Sequence, residues 1–168
     1  MRNLNTTVIG DYRKPRTRLP GAGGAPELIH HARQTFVVLK QPTRSFVAKL
    51  DFCSSAGFLN GHGERARRGI PGAGPQVVIT DLGVFKPSAE SQELTLVARY
   101  EEVSVDKIRA ATGWPIVADT IAVIPTPSAG ELSVLRELHE CTRIAHAADA
   151  RPSKKRTQFL PVTNRVQP

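Results

Sequence analysis

The chain has 168 residues, 40% of them hydrophobic and only 5% aromatic, with a formal net charge of +8. That length supports a single domain with a real core, and that composition excludes a disordered chain; no apolar run reaches the length of a membrane span. The charge sits at the ends, eight Lys/Arg against two acids in residues 1–44 and five against none in 151–168, while 45–150 carries ten against thirteen, which with so few aromatics speaks against a nucleic-acid-binding face.

Residues 4–9 read as a short strand stopped by Gly10-Asp11. Residues 12–18 form a basic connector around Pro15. In residues 19–28, three glycines and two prolines fall within ten positions. Strand, glycine-rich turn and helix start together make a place where free N–H groups can face an anion; a tight loop without a ligand is the plainer alternative. Pro26 suits the first turn of a helix over 27–34. Residues 35–39 are a continuous apolar run, the pattern of a strand buried on both faces. From 46 to 52, Phe46, Ala48, Leu50 and Phe52 alternate with Lys49 and Asp51, which is strand periodicity. Residues 54–74 hold six glycines and read as a long loop with one helical turn near 64–68. Residues 77–80 predict another buried strand. A further strand opens at Val84, turns at 88–92 and returns over 94–99. Ser104 caps a helix that ends near Ala111, before Gly113 and Pro115. Residues 117–124 are extended. Ser128 and Glu131 have capping-box spacing, and the helix they open sets Leu132, Leu135, Leu138 and His139 on one face. Residues 147–168 read as a disordered basic tail. The pattern over 1–146 predicts an α/β domain built on an open mixed sheet with flanking helices.

Several short motifs recur in a fixed order. Asn3-Leu4-Asn5 leads to Gly10-Asp11-Tyr12, then to Arg18-Leu19-Pro20-Gly21-Ala22-Gly23-Gly24-Ala25. Gly57-Phe58-Leu59, Pro71-Gly72-Ala73-Gly74-Pro75, Thr80-Asp81-Leu82-Gly83-Val84-Phe85 and Ala110-Ala111-Thr112-Gly113-Trp114 follow. No one of them is specific alone, but their order and spacing together are. Over about residues 3–140 the chain resembles the beta subunit of family I CoA-transferases, of the glutaconate and 3-oxoacid type. The resemblance implies a CoA-transferase-like fold, an alpha-type partner subunit, a coenzyme A thioester as substrate and no bound cofactor. In that family a glutamate carboxylate attacks an acyl-CoA thioester, giving an anhydride and then a glutamyl–CoA thioester. The resemblance implies that Gly21, Gly23, Gly24 and Ala25 line the thioester pocket with backbone atoms. The family's glutamate motif lies upstream of Asn-Leu-Asn, so the resemblance also implies a chain truncated at its N-terminus and without that nucleophile. Two segments depart from the family pattern: Pro26-Glu27 replaces Asn-Asp after the glycine loop, and Ala56 replaces a proline.

No catalytic residue is assigned. Glu27 reads as an acidic first-turn residue and Glu64 as a surface partner of Arg65, Arg67 or Arg68. His30 and His31 are adjacent on a helix and do not share a face, which disfavours a metal pair. His62 reads as a loop residue and Cys53 as a buried, inert thiol. Cys53 and Cys141 form neither a disulfide framework nor a metal cluster, and a reducing cytoplasm follows. The turn 71–75 feeds the strand at Val77, with ligand contact as the alternative. Arg13, Lys14, Arg16 and Arg18 either meet CoA phosphates or solvate a loop. The reading is a CoA-transferase beta-subunit-like protein. Its alternatives are a non-catalytic remnant or binding subunit, and a subunit of a ring-cleaving hydrolase of steroid-derived CoA thioesters.

Overall fold

The computed structural model describes residues 3–149. Its strands form a two-stranded ribbon and a five-stranded sheet. The ribbon pairs β1 (Val8–Gly10) antiparallel with β2 (Pro15–Arg18). Asp11 makes the turn: one carboxylate oxygen accepts the N–H groups of Arg13 at 2.8 Å and Lys14 at 3.0 Å. The strand expected from residue 4 therefore begins only at Val8, and Leu4 makes an isolated bridge to Ser55. The expected connector is strand β2. Pro15 stands at its first position, where a missing N–H is tolerated, and the other three residues are exposed, so no alternation betrays the strand.

Helix α1 (Ala25–His31) starts straight after the glycine loop, with Pro26 in its first turn, and buries only Ile29. β3 (Thr35–Val38) then runs parallel to β4 (Pro75–Ile79), and the long crossing between them carries α2 (Glu64–Arg67). β5 (Gly83–Pro87) and β6 (Leu94–Tyr100) add an antiparallel hairpin. α3 (Val105–Ala110) leads to β7 (Ala122–Ile124), which lies parallel to β6. The order β3-β4-β5-β6-β7 is the open mixed sheet that the sequence predicts. Ser104 caps α3 as expected, its hydroxyl accepting the Lys107 N–H at 3.2 Å.

Phe46, Val78, Phe85, Leu94, Leu96 and Ile108 form the centre of the core. Two expectations about strands need correction here. β3 lies at the sheet edge and is not covered on both faces: Phe36 is 60% exposed and Val38 74%, while Val37 packs on the core. An apolar run alone does not distinguish a central strand from an edge strand. Residues 46–52 form bends and irregular backbone instead of a strand. Phe46 is wholly buried, its ring 5.4 Å from that of Phe85 and stacked at 5.6 Å on Trp114. The alternating pattern is present, but among the described residues no neighbouring strand pairs with this segment.

From Pro127 the chain is a separate unit containing α4 (Ala129–Asp149). Ser128 and Glu131 form the expected capping box: the Ser128 hydroxyl accepts the Glu131 N–H at 3.2 Å, and the Glu131 carboxylate accepts the Ser128 N–H at 2.8 Å. α4 runs three residues past the boundary at 146. The remainder of the predicted tail lies outside the described residues. Among the described residues no helix is long and apolar enough to cross a membrane.

Candidate functional site

The ribbon delivers the chain into the glycine loop. Past β2, the N–H of Leu19 donates to Thr7 at 3.0 Å and that of Gly21 to Thr6 at 2.8 Å, so the loop is tied to the residues ahead of β1. Ser54 holds that base: its hydroxyl accepts the Thr6 N–H at 2.9 Å and lies 2.6 Å from the Thr7 hydroxyl. Gly21 has φ +106° and Gly23 φ +51°, both in the region that disfavours side chains. Crowding is not the reason for glycine here, because a Cβ at Gly21, Gly23 or Gly24 would meet nothing within 4 Å among the described residues. The loop closes into α1 through Ala25 N–H to Ala22 and Leu28 N–H to Gly24, both at 3.1 Å. Among the described residues, the N–H groups of Gly23 and Gly24 have no acceptor. The result is a loop with two main-chain donors left unbonded among the described residues.

The far end of α1 is held by a residue that the sequence does not single out. Arg65 is 4% exposed. Its guanidinium donates to the carbonyls of Gly72, Ala56, Gly57, Ile29 and His30. Burial pushes its pKa below the ordinary value, and the five carbonyl oxygens stand in for the missing counter-charge. Gly72 completes the contact, its N–H donating to His30 at 2.7 Å. A Cβ at Gly72 would lie 2.6 Å from the His30 oxygen, so glycine is required there by close approach. The turn 71–75 is thus a packed support of α1. Nothing in the sequence separates Arg65 from Arg67 and Arg68 two and three positions on; only the fold does.

The remaining motifs are also brought together. Asn3 accepts the N–H groups of Gly57 at 3.0 Å and Leu59 at 2.9 Å, joining the first motif to the fourth. Gln41, 3% exposed, accepts the Thr80 hydroxyl at 2.8 Å and donates to the Thr112 hydroxyl at 2.9 Å. It therefore links the motif at 80–85 to that at 110–114. These contacts are structural, and neither Asn3 nor Gln41 stands out by residue type.

The carboxylates near the glycine loops are engaged or exposed. The Glu27 side chain is 82% exposed, with its carboxylate 3.5 Å from the His31 ring. Glu64 pairs with Arg68 at 2.6 Å, one of the three partners expected for it. The Asn60 N–H and Arg68 hold its carboxyl below the usual range. The His30 and His31 rings meet edge-on at 4.9 Å. Cys53 is exposed and not buried as expected; its thiol donates to Ser55 at 3.5 Å, and local burial still pushes that thiol up, away from nucleophilic character. Arg16 is exposed on β2, and the guanidinium of Arg18 is held at Tyr12, donating to its carbonyl at 2.8 Å and lying over its ring at 4.8 Å. Tyr12 in turn stacks on Phe52 at 5.2 Å. Clefts of about 400, 450 and 510 Å³ open elsewhere, and the glycine loop borders none of them.

The family model described as coenzyme A transferase matches residues 2–111. The chain is 43% identical over 145 residues to the B-type subunit of the 3-oxoadipate CoA-transferase of Pseudomonas knackmussii, covering 86% of this chain and 56% of that protein. It is 33% identical over 136 residues to the B-type subunit of the glutaconate CoA-transferase of Acidaminococcus fermentans, covering 80% of this chain and 51% of that protein. The crystal structure of glutaconate coenzyme A-transferase from that organism matches with a TM-score of 0.76, over 80% of this chain and 52% of the other. The decarboxylase AibA/AibB matches with a TM-score of 0.62 at 26% identity, over 80% of this chain and 50% of the other. The chain spans about half the length of the curated relatives it matches.

Proposed function

This chain belongs to the coenzyme A transferase family, and from that premise we propose that it acts with an alpha-type subunit on acyl-CoA thioesters, moving CoA from one carboxylic acid to another. The observation that carries the reading is the glycine loop: main-chain N–H groups of Gly23 and Gly24 without acceptors among the described residues, beside space that no side chain fills. In this reading Gly21, Gly23, Gly24 and Ala25 line the thioester pocket. A carboxylate oxygen bonds to the acyl carbon, the C–S bond breaks, and CoA leaves as a thiolate. The thiolate then attacks the carboxylate-derived carbonyl of the anhydride, releasing the acyl group as a free carboxylate. Negative charge grows on the acyl oxygen as its carbon becomes tetrahedral, and fixed N–H donors stabilise it without reorganising.

The attacking carboxylate is assigned to neither Glu27 nor Glu64, and in this reading it comes with the alpha-type subunit. Glu27 is too exposed for a sheltered anhydride, and Glu64 is committed to Asn60 and Arg68. The cations Arg13, Lys14, Arg16 and Arg18 lead straight into the loop and take the CoA phosphates. The alpha-type subunit covers the open side of the loop. The two free thiols, Cys53 and Cys141, support a reducing cytoplasm.

Production with an alpha-type subunit, followed by assay of CoA transfer from an acyl-CoA to a free acid, tests the reading. Transfer is the expected result. Gly23→Val should remove it, because a β-branched side chain at φ +51° strains the backbone and fills the open space. A folded complex that leaves acyl-CoA untouched would overturn the reading.

A further inference from the structure

We propose that Arg65 is the positioning residue of the glycine loop, aiming it through α1; its consequence for turnover rests on the acyl-CoA reading above. An arginine carries five N–H donors in a planar fork. Here the guanidinium makes five hydrogen bonds, all to main-chain carbonyls: Nε to Gly72, one terminal nitrogen to Ala56 and Gly57, the other to Ile29 and His30. Three separate segments are therefore joined at one planar group.

The joint matters because, among the described residues, α1 has little else to hold it. The helix has seven residues and buries only Ile29, while Leu28 is 66% exposed. The carbonyls of its last turn lack partners within the helix, and a cation there is favourable. Arg65 and the Gly72 N–H take the Ile29 and His30 carbonyls at one end. The glycine loop is the other end of the same rigid element. A tilt of α1 would carry Gly24 and Ala25 with it. Lysine reproduces the charge but has three donors on a point centre, so it does not span the same five oxygens.

The test compares wild type, Arg65→Lys and, as a surface control, Arg68→Lys, each in complex with an alpha-type subunit. Hydrogen exchange read by mass spectrometry follows the peptide over 19–31 against the hairpin over 83–100. In Arg65→Lys the 19–31 amides should exchange about ten-fold faster, with the hairpin unchanged. Under the acyl-CoA reading, kcat should fall while KM for acyl-CoA stays near the wild-type value, because the group acts through the loop and not on the substrate. Arg68→Lys should change neither. If Arg65→Lys does not fold, Arg65→Ala with added guanidinium ion replaces it, and protection over 19–31 should return with guanidinium and not with sodium at equal ionic strength. Unchanged exchange over 19–31, or loss spread equally to 83–100, overturns the proposal. A faster 19–31 exchange in a complex that transfers no CoA supports the positioning role and refutes only the acyl-CoA reading.

Discussion

Gly113 meets Phe46 main chain to main chain: its N–H donates to the Phe46 carbonyl at 2.7 Å, and a Cβ on Gly113 would stand 2.7 Å from that oxygen. The neighbouring side chains repeat the contact, with the Trp114 ring stacked on that of Phe46. A glycine after α3 thus lets the segment around residue 46 dock into the core.

Gly113→Ala has to push that carbonyl away or break the hydrogen bond. The expected cost is about 1–3 kcal/mol, the range for overpacking a fitted site. Thermal unfolding should fall by roughly 5 °C, given a few degrees per kcal/mol for a chain of this size. Phe46→Ala, which empties the centre of the cluster, should cost more, about 3–5 kcal/mol. A Gly113→Ala midpoint within a degree of wild type would contradict the steric argument.

Lys14→Glu and Arg16→Glu test the ribbon. Both side chains are exposed, so stability should change by less than about 0.5 kcal/mol. Under the acyl-CoA reading, KM for an acyl-CoA should rise several-fold, more at low salt, because the CoA phosphates would lose an attractive field. KM for the matching acyl-pantetheine, which has no nucleotide phosphates, should stay put. An equal rise for both thioesters would show that the cations act on something other than the phosphates.

Incubation with acyl-CoA, borohydride trapping and peptide mass spectrometry should find Glu27 and Glu64 unmodified. Glu27 has no shelter from water, and Glu64 is already bonded to two donors. A reduced adduct on either residue would assign the nucleophile to it and reverse the argument.

Glu131 gives a pH signature. The Ser128 N–H and hydroxyl hold its carboxyl below the ordinary range in the capped helix. The uncapped chain therefore binds the proton more readily. The cap contributes fully above the ordinary carboxylate pKa and is lost as pH falls through the lowered one. Circular dichroism of a peptide over 126–149 should show helix content dropping on acidification, with a smaller drop for Glu131→Gln. Parallel titrations of the two peptides would rule the capping box out as the cause.

Local chemistry made part of this protein legible from residues alone. Ser104 before α3, Ser128 with Glu131 before α4, and Pro26 in α1 each satisfy their donors or dihedrals within one helical turn. The hairpin of β5 and β6 is likewise set by residues close in sequence. The order of the motifs was enough to point to the family. Tertiary structure decided the rest, because the deciding partner lies far along the chain. β2 is a strand only because β1 offers it an edge. Phe46 stands outside any strand, its ring packed on Phe85 and Trp114 and its carbonyl bonded to Gly113, all far along the chain. β3 is half exposed because it falls at the end of the sheet order, which no apolar run encodes. Arg65 is chemically identical to its neighbours Arg67 and Arg68. It became the anchor of α1 because five carbonyls from Ile29 to Gly72 converge on one buried point, and only a folded backbone can bring them there.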